Sequence, residues 1–204
     1  HVQLDGHLFR AMGWRATASM GAVVAHHTTP LGAVLRELRA AEQRAKSCGR
    51  DAFSIALMKR GGGTTQLTCG FGMLAHVDAA TVQTADDTPL GVLRALRDYL
   101  AQSRRAAYHA SQWLPGLPAS SEGLDRERYQ KMLAQNLAWQ MNRQKRPTSD
   151  LTAADVTALA ARVTDLALAE VLRREGLSGT AAQTVSATEL IGHMLRHMEF
   201  LARP

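Results

Sequence analysis

Apolar and small residues alternate near the start of the chain in patterns that predict β-strands. The stretch 15–25 is rich in small and β-branched residues. Over 51–58, Phe53, Ile55 and Leu57 alternate with smaller residues, which gives this segment one face of larger side chains. We therefore predict two strands in the first third of the chain.

Between these strands, apolar residues recur at helical spacing and predict one amphipathic helix. Thr29 is its predicted N-cap, Pro30 its first residue and Gly49 the residue that ends it. Its predicted apolar face consists of Leu31, Val34, Leu35, Leu38, Ala41, Ala45 and Cys48. A strand, a helix and a strand on short connections predict an α+β fold, with helices on one face of a sheet.

The first and last parts of the chain differ in pattern. Strands mix with one helix over 1–62, whereas 88–204 has helical periodicity almost throughout. The glycines of 59–72 interrupt any regular element and predict a loop or hinge. We therefore predict a strand-containing domain over 1–62, a linker over 63–87 and an all-α helical bundle domain over 88–204.

Two helices of the last part have predictable starts. One is expected to begin near Ser149 or Asp150 and to end at Gly176. The last helix is expected to begin at Ser186, with Glu189 completing a capping box.

Composition narrows the class of partner. The chain is 46% hydrophobic, enough to bury a core, and has no apolar run of membrane-spanning length. Its net charge of +6 favours polyanions such as RNA, DNA or nucleotide phosphates. Cys48 and Cys69 lack metal-ligand spacing and suit a reducing compartment. We expect a cytoplasmic protein without a membrane partner.

Basic residues surround a glycine at the end of the predicted helix. Lys46 and Arg50 are four residues apart, so they share a face where the chain stays helical. An ammonium and a planar guanidinium both suit phosphate oxygens, and Gly49 permits a sharp turn between them. The same residues also suit an ordinary helix end, because cations there complement the helix dipole.

The stretch from residue 16 to 63 resembles a known family. It carries SMG at 19–21, AHH followed by PL, AK followed by GRDAF, and KR before the glycines. These features resemble the second palm domain in the large subunit of type III CRISPR effector complexes, in particular the III-B branch. That subunit has a helical C-terminal domain after this palm, so the resemblance implies a partial ferredoxin-like palm followed by a helical domain.

The resemblance implies a nucleotide site. In palm-like nucleotide cyclases, the lysine of the A-K pair and the arginine after the glycine contact a triphosphate, which implies that Lys46 and Arg50 bind ATP. By the same resemblance, Ser19 lies beside the nucleotide, where it could bond to a ribose or base, and Gly49 belongs to the same corner. An ordinary small residue of a strand is the alternative for Ser19. Gly21 gives room either to the nucleotide or to a neighbouring backbone.

The resemblance also implies an activity for the intact subunit, the synthesis of cyclic oligoadenylates from ATP after activation by a target RNA. The family holds two divalent metal ions, Mg or Mn, on a Gly-Gly-Asp-Asp hairpin. This chain has no such motif, and its Asp86–Asp87 pair is predicted to lead into the next helix. We therefore expect the chain alone to be inactive. It is either a C-terminal fragment, as its start at His1 favours, or a degenerate homologue.

The implied partners are the other effector subunits, including a small helical subunit, together with guide RNA and target RNA. Arg143, Lys145 and Arg146 are the candidate RNA contacts and are expected to touch the phosphate backbone. Trp139 is predicted to be packed rather than stacked on a base. Two alternatives stay open: a non-catalytic helical scaffold that binds RNA, and a relative of the diguanylate cyclases, which share the AK and GR corner.

Two histidine pairs are poor metal sites. His26 and His27 are predicted to lie in an extended segment, where adjacent side chains point in opposite directions. His193 and His197 have i, i+4 spacing but lack an evident third ligand.

Overall fold

The computed structural model describes residues 2–4, 7–9, 17–72, 88–103, 105–120, 125–147, 149–177 and 185–203. Its strands are β1 (Val2–Leu4), β2 (His7–Phe9), β3 (Ser19–Ala25), β4 (Ala52–Met58) and β5 (Thr64–Gly70). Its helices are α1 (Leu31–Ser47), α2 (Pro89–Gln102), α3 (Arg105–Trp113), α4 (Arg126–Gln144), α5 (Ala153–Glu175) and α6 (Ala187–Leu201), with a 3-10 turn at Leu114–Gly116. The fold class is α+β, as predicted.

The chain forms two compact units. The first comprises 1–91 with 177–182, and the second comprises 92–176 with 183–204. The first unit contains the strands and α1, whereas the second is built from helices. No helix in the described ranges has both the length and the apolar character needed to cross a membrane.

Strands β3, β4 and β5 form a mixed sheet with β4 in the centre. β3 and β4 run parallel, with Ser19 opposite Ala52, and β5 runs antiparallel to β4, with Gly70 opposite Ala52. A parallel pair needs a crossover connection, which α1 supplies. This arrangement confirms the predicted order of strand, helix and strand.

Small residues form the sheet face that α1 covers. Ser54 of β4 lies on this face, because the Nε of Arg44 on α1 donates a hydrogen bond to its hydroxyl (3.3 Å). The strand register places Gly21 and Ala52 on the same face. A Cβ on Gly21 would lie 2.6 Å from the backbone nitrogen of Glu42. α1 therefore approaches β3 so closely that only glycine fits there.

Larger side chains occupy the opposite face, as the alternation over 51–58 predicts. Phe53 and Leu57 are buried, and the rings of Phe53 and Phe71 lie 5.4 Å apart. On β5, the buried Leu67 extends this apolar face. The central strand is therefore covered on both faces, which is why most of its residues are buried.

The prediction of a loop over 59–72, with a linker from residue 63, is wrong for Thr64–Gly70, which forms β5. Leu67 and Cys69 are buried whereas Thr64 is exposed, so this segment has the two-residue period of a strand. The β-branched threonines favour this conformation.

The glycines make only the hairpin connection before β5. Gly62 and Gly63 have φ values of 89° and 83°, which glycine adopts without steric cost. The rest of the predicted linker, 73–87, lies outside the described residues, and so does the Asp86–Asp87 pair.

α1 differs from its prediction at its start and along its first half. It begins at Leu31, with Pro30 rather than Thr29 at the N-cap. Ala41 and Ala45 are fully buried, because these small residues fit against the closely approaching sheet. Three leucines of the predicted apolar face are exposed instead, at 70%, 45% and 38%: Leu31, Leu35 and Leu38.

In the second unit, α4 has a buried apolar face, consistent with the helical periodicity over 88–204. Leu133, Leu137 and Met141 of α4 are buried, and α4 packs against α5. The buried hydroxyl of Tyr99 on α2 donates a hydrogen bond to the carbonyl oxygen of Met141 (2.7 Å). The helical periodicity predicted over 88–204 is therefore confirmed for α4.

The predicted start of α5 is wrong by a few residues. α5 begins at Ala153, because Thr152 and Asp155 form a capping box three residues after Ser149. Ser149 instead accepts a hydrogen bond from the backbone of Leu151 (3.3 Å) and so belongs to the preceding loop.

The predicted capping box of α6 is confirmed. The hydroxyl of Ser186 accepts a hydrogen bond from the Glu189 N–H (3.2 Å), and the Glu189 carboxylate accepts one from the Ser186 N–H (2.9 Å). The backbone N–H of Ser186, followed by its hydroxyl, lowers the pKa of Glu189 by stabilising the charged form.

Removal of the box should have a pH-dependent effect. A depressed carboxyl pKa contributes stability above its unfolded-state value, and that stability disappears as the pH falls through the folded-state value. We expect Ser186→Ala to lower the unfolding free energy by about 1 kcal/mol at neutral pH. The loss should be smaller at acid pH in urea unfolding. Ser111→Ala, which removes a hydroxyl bonded within α3, should show no such pH dependence, and an equal dependence would contradict this explanation.

The close approach at Gly21 gives a second prediction. Gly21→Ala should force α1 away from β3 and lower the unfolding free energy by roughly 1–3 kcal/mol. Hydrogen–deuterium exchange should become faster in both α1 and β3. Gly32→Ala is the matched control, since its added Cβ would meet nothing nearer than the Arg36 Nη1 at 3.7 Å. Equal protection of α1 and β3 from hydrogen exchange in the Gly21 variant and the wild type would disprove the steric constraint.

Candidate functional site

The turn from α1 to β4 brings predicted site residues together. The hydroxyl of Ser19, at the start of β3, donates a hydrogen bond to the backbone carbonyl of Arg50 (3.1 Å). Gly49 has a φ of 93° directly after the C-cap of α1, which confirms that it ends the helix. Lys46 lies in the last turn of α1. We call Ser19, Lys46, Gly49 and Arg50 the corner.

Arg50 has an uncommon backbone conformation. Its φ is 61°, and it is the one non-glycine residue with positive φ in the part of the chain that the structure describes. This conformation costs a residue with a Cβ roughly 1–2 kcal/mol. The side chain is exposed, and within the described ranges it forms no ion pair. An exposed arginine where glycine fits better points to a role for the guanidinium.

Lys46 and Arg50 do not share a helix face. A shared face would require the chain to stay helical as far as Arg50. α1 ends at Ser47, so this requirement is not met. The Lys46 ammonium lies 2.7 Å from the Glu42 carboxylate, and both side chains are about half exposed. The hydrogen bond from Lys46, and then its charge, lower the pKa of Glu42. A phosphate at Lys46 would therefore compete with Glu42.

The helix dipole also opposes an anion at the corner, because the C-terminal end of a helix is negative. Arg44 and Lys46, in the last turn of α1, offset this effect. Arg44 points toward the sheet, where it contacts Ser54, so it is not directed at the corner. Lys46 and Arg50 are therefore the two cations of the corner itself.

Gly21 has one of its two predicted roles. The backbone of Glu42 fills the space beside it, with a Cβ-to-nitrogen separation of 2.6 Å. This is the predicted approach of a neighbouring backbone, and it leaves no room for a nucleotide on that face.

A polar network that sequence patterns did not predict joins α1 to the sheet. Arg44 donates to Glu37 (2.7 Å) and to Ser54 (3.3 Å), and Thr68 donates to Ser54 (2.9 Å). Gln66 also donates to Glu37 (3.4 Å). The Arg44 and Glu37 side chains are only 27% and 18% exposed. Their seven-residue spacing, which puts both on the face of Ala41, is the sequence signal for this network.

The histidine pairs show no metal geometry. His26 and His27 lie in a turn with ring centroids 4.2 Å apart, so the prediction of opposite directions in an extended segment is wrong. The Nδ1 of His197 is 2.8 Å from the His193 carbonyl oxygen, within its own helix. Across the described residues, no group of three or more His, Cys, Asp or Glu side chains could hold a metal ion.

The predicted RNA contacts lie in different environments at the end of α4. The Lys145 ammonium donates to the carbonyl of Leu151 (2.9 Å), which fixes it to the loop before α5. Arg143 and Arg146 are exposed. The prediction that Trp139 is packed is wrong, because its side chain is 57% exposed and the Arg143 guanidinium carbon lies 5.2 Å from its ring centroid.

No family model matches the chain, and no curated protein or solved structure is significantly similar to it. The geometry of the residues and the sequence motifs are therefore what bears on the function of the chain.

The conformation of Arg50 gives a prediction about stability. Arg50→Gly should raise the unfolding free energy by up to about 1 kcal/mol, because glycine adopts this φ without the Cβ clash. Arg50→Ala keeps the Cβ and should show no such gain in urea unfolding. If the glycine variant is no more stable than the alanine variant, the turn does not carry the inferred strain.

Proposed function

We propose that the corner binds the triphosphate of ATP, with Lys46 and Arg50 as the phosphate ligands. The observation that carries this proposal is the exposed Arg50 guanidinium in a backbone conformation that favours glycine. Lys46 adds a second cation one helical turn earlier, and Ser19 fixes the position of the Arg50 backbone. Charge-assisted hydrogen bonds from these two groups suit phosphate oxygens.

In this proposal, the chain is the C-terminal portion of the large subunit of a type III CRISPR effector complex. The intact subunit would make cyclic oligoadenylates from ATP when a target RNA pairs with the guide RNA. Divalent metal ions would bind an Asp-Asp motif upstream, so the present chain would bind ATP without turning it over. The helical unit would bind RNA and a small helical subunit. The motif resemblance over 16–63 supports this assignment.

A second candidate is a non-catalytic RNA-binding scaffold. The pairing of Lys46 with Glu42 favours it, because that pair satisfies the lysine without a ligand. In this alternative, Lys46 simply complements the dipole of α1.

Calorimetric titration of the chain with ATP separates these candidates. Lys46→Ala and Arg50→Gly should each weaken ATP binding by about tenfold or more, because each removes charge-assisted hydrogen bonds. Arg39→Ala is the matched control, since Arg39 is an exposed cation on α1, two turns before Lys46. Tighter binding of GTP than ATP would favour the remaining alternative, a relative of the diguanylate cyclases. Unchanged ATP affinity in both corner variants would reject the corner as the phosphate site.

A further inference from the structure

One exposed row of side chains runs along α4. Lys131, Gln135, Trp139 and Arg143 are four residues apart, and all are exposed. This spacing places them on one side of the helix over about 18 Å. Arg146, just beyond the helix end, is also exposed. We call these five residues the α4 row.

Trp139 is the central feature of the α4 row. A single exposed aromatic side chain is ordinary on a protein surface. Here, however, the Arg143 guanidinium carbon lies 5.2 Å from the indole centroid, within range for a cation–π contact. The indole is 57% exposed, so a second planar group has access to it. An accessible ring beside a guanidinium suits the stacking of a nucleic-acid base.

The charge of α4 matches such a ligand. The segment 131–146 contains four cationic residues and no aspartate or glutamate. The amide of Gln130, which is not in the α4 row, donates a hydrogen bond to the Asp165 carboxylate of α5 (2.7 Å). The α4 row carries Lys131 at one end and Arg143 and Arg146 at the other, and the acidic residue next to it on the helix, Glu127, lies one turn before Lys131. A phosphodiester backbone is the electrostatic complement of these three cations.

We propose that the α4 row binds single-stranded RNA, with an unpaired base stacked on Trp139. Lys131, Arg143 and Arg146 contact phosphates on either side of that base. Stacking requires a base outside a duplex, which selects a single strand. The neutral amide of Gln135 can both donate to and accept from a ribose 2′-hydroxyl, which selects RNA over DNA. This inference deepens the RNA-binding part of the proposed function and rests on it.

The test measures binding of a fluorescein-labelled oligouridine to the full chain by anisotropy over a series of salt concentrations. Trp139→Ala should weaken binding about tenfold, without changing the slope of log affinity against log salt, because the indole neutralises no phosphate. Trp139→Phe should restore most of the affinity. Arg143→Ala should reduce the magnitude of the slope by about 0.7, as expected for one lost phosphate contact on a single strand.

Two variants elsewhere in the helical unit are matched controls. Tyr108, on α3, is an aromatic residue with 66% exposure, and Arg105 is an exposed cation on the same helix. Tyr108→Ala should bind as the wild type does, and Arg105→Ala should leave the slope unchanged. Thermal unfolding followed by circular dichroism should show that all variants remain folded.

Wild-type affinity in Trp139→Ala, or an equal loss in Tyr108→Ala, would overturn the stacking site while leaving RNA binding by the chain intact. Equal affinity for deoxyoligouridine would overturn the assignment to RNA. If the wild-type chain binds no oligouridine, both this inference and the RNA-binding part of the proposed function fail. The ATP titration is unaffected by any of these results, because the corner and the α4 row share no residue.

Discussion

The close contact between α1 and β3 at Gly21 determines the geometry of the first unit. Because Gly21 has no side chain, the helix backbone at Glu42 can approach the strand closely. A Cβ at this position would lie only 2.6 Å from the Glu42 backbone nitrogen. The facing strand residues, such as Ala52 and Ser54, are also small, so the helix stays close to the sheet as far as its end. The end of α1 and the turn into β4 therefore come directly beside the start of β3.

That placement brings together groups that favour anion binding at the corner and groups that oppose it. Arg50 and Lys46 supply positive charge, but the helix dipole and Glu42 oppose a bound anion. A phosphate would have to outweigh both effects. If Arg50 only complemented the helix dipole, its unfavourable backbone conformation would have no explanation. That conformation is therefore the feature that favours a bound anion.

Sequence patterns correctly predicted features that depend on adjacent residues. They failed for features that depend on contacts with other parts of the fold. The alternation around Phe53 and the Ser186 capping box both depend on a few adjacent residues, and both were correct. β5 was missed because the glycines before it suggested a longer loop than the hairpin requires. The burial of α1 depended on the sheet face that it meets, which no helical period reveals. Trp139, by contrast, could have been identified as exposed, because it falls outside the apolar row that contains Leu137.

The hydrogen bonds from Arg44 to Glu37 and Ser54 have a further consequence for the specificity of the fold. A helix that rests on alanine, glycine and serine meets a smooth surface, over which several rotations or one-turn shifts would bury similar apolar area. The Arg44–Glu37 pair lies within α1 and would move with the helix, but each shifted arrangement would break its hydrogen bonds to Ser54 and Gln66 of the sheet and leave these part-buried polar groups without those partners. The hydrogen bonds between α1 and the sheet therefore select one alignment of the helix. The contact between small residues alone would not select that alignment.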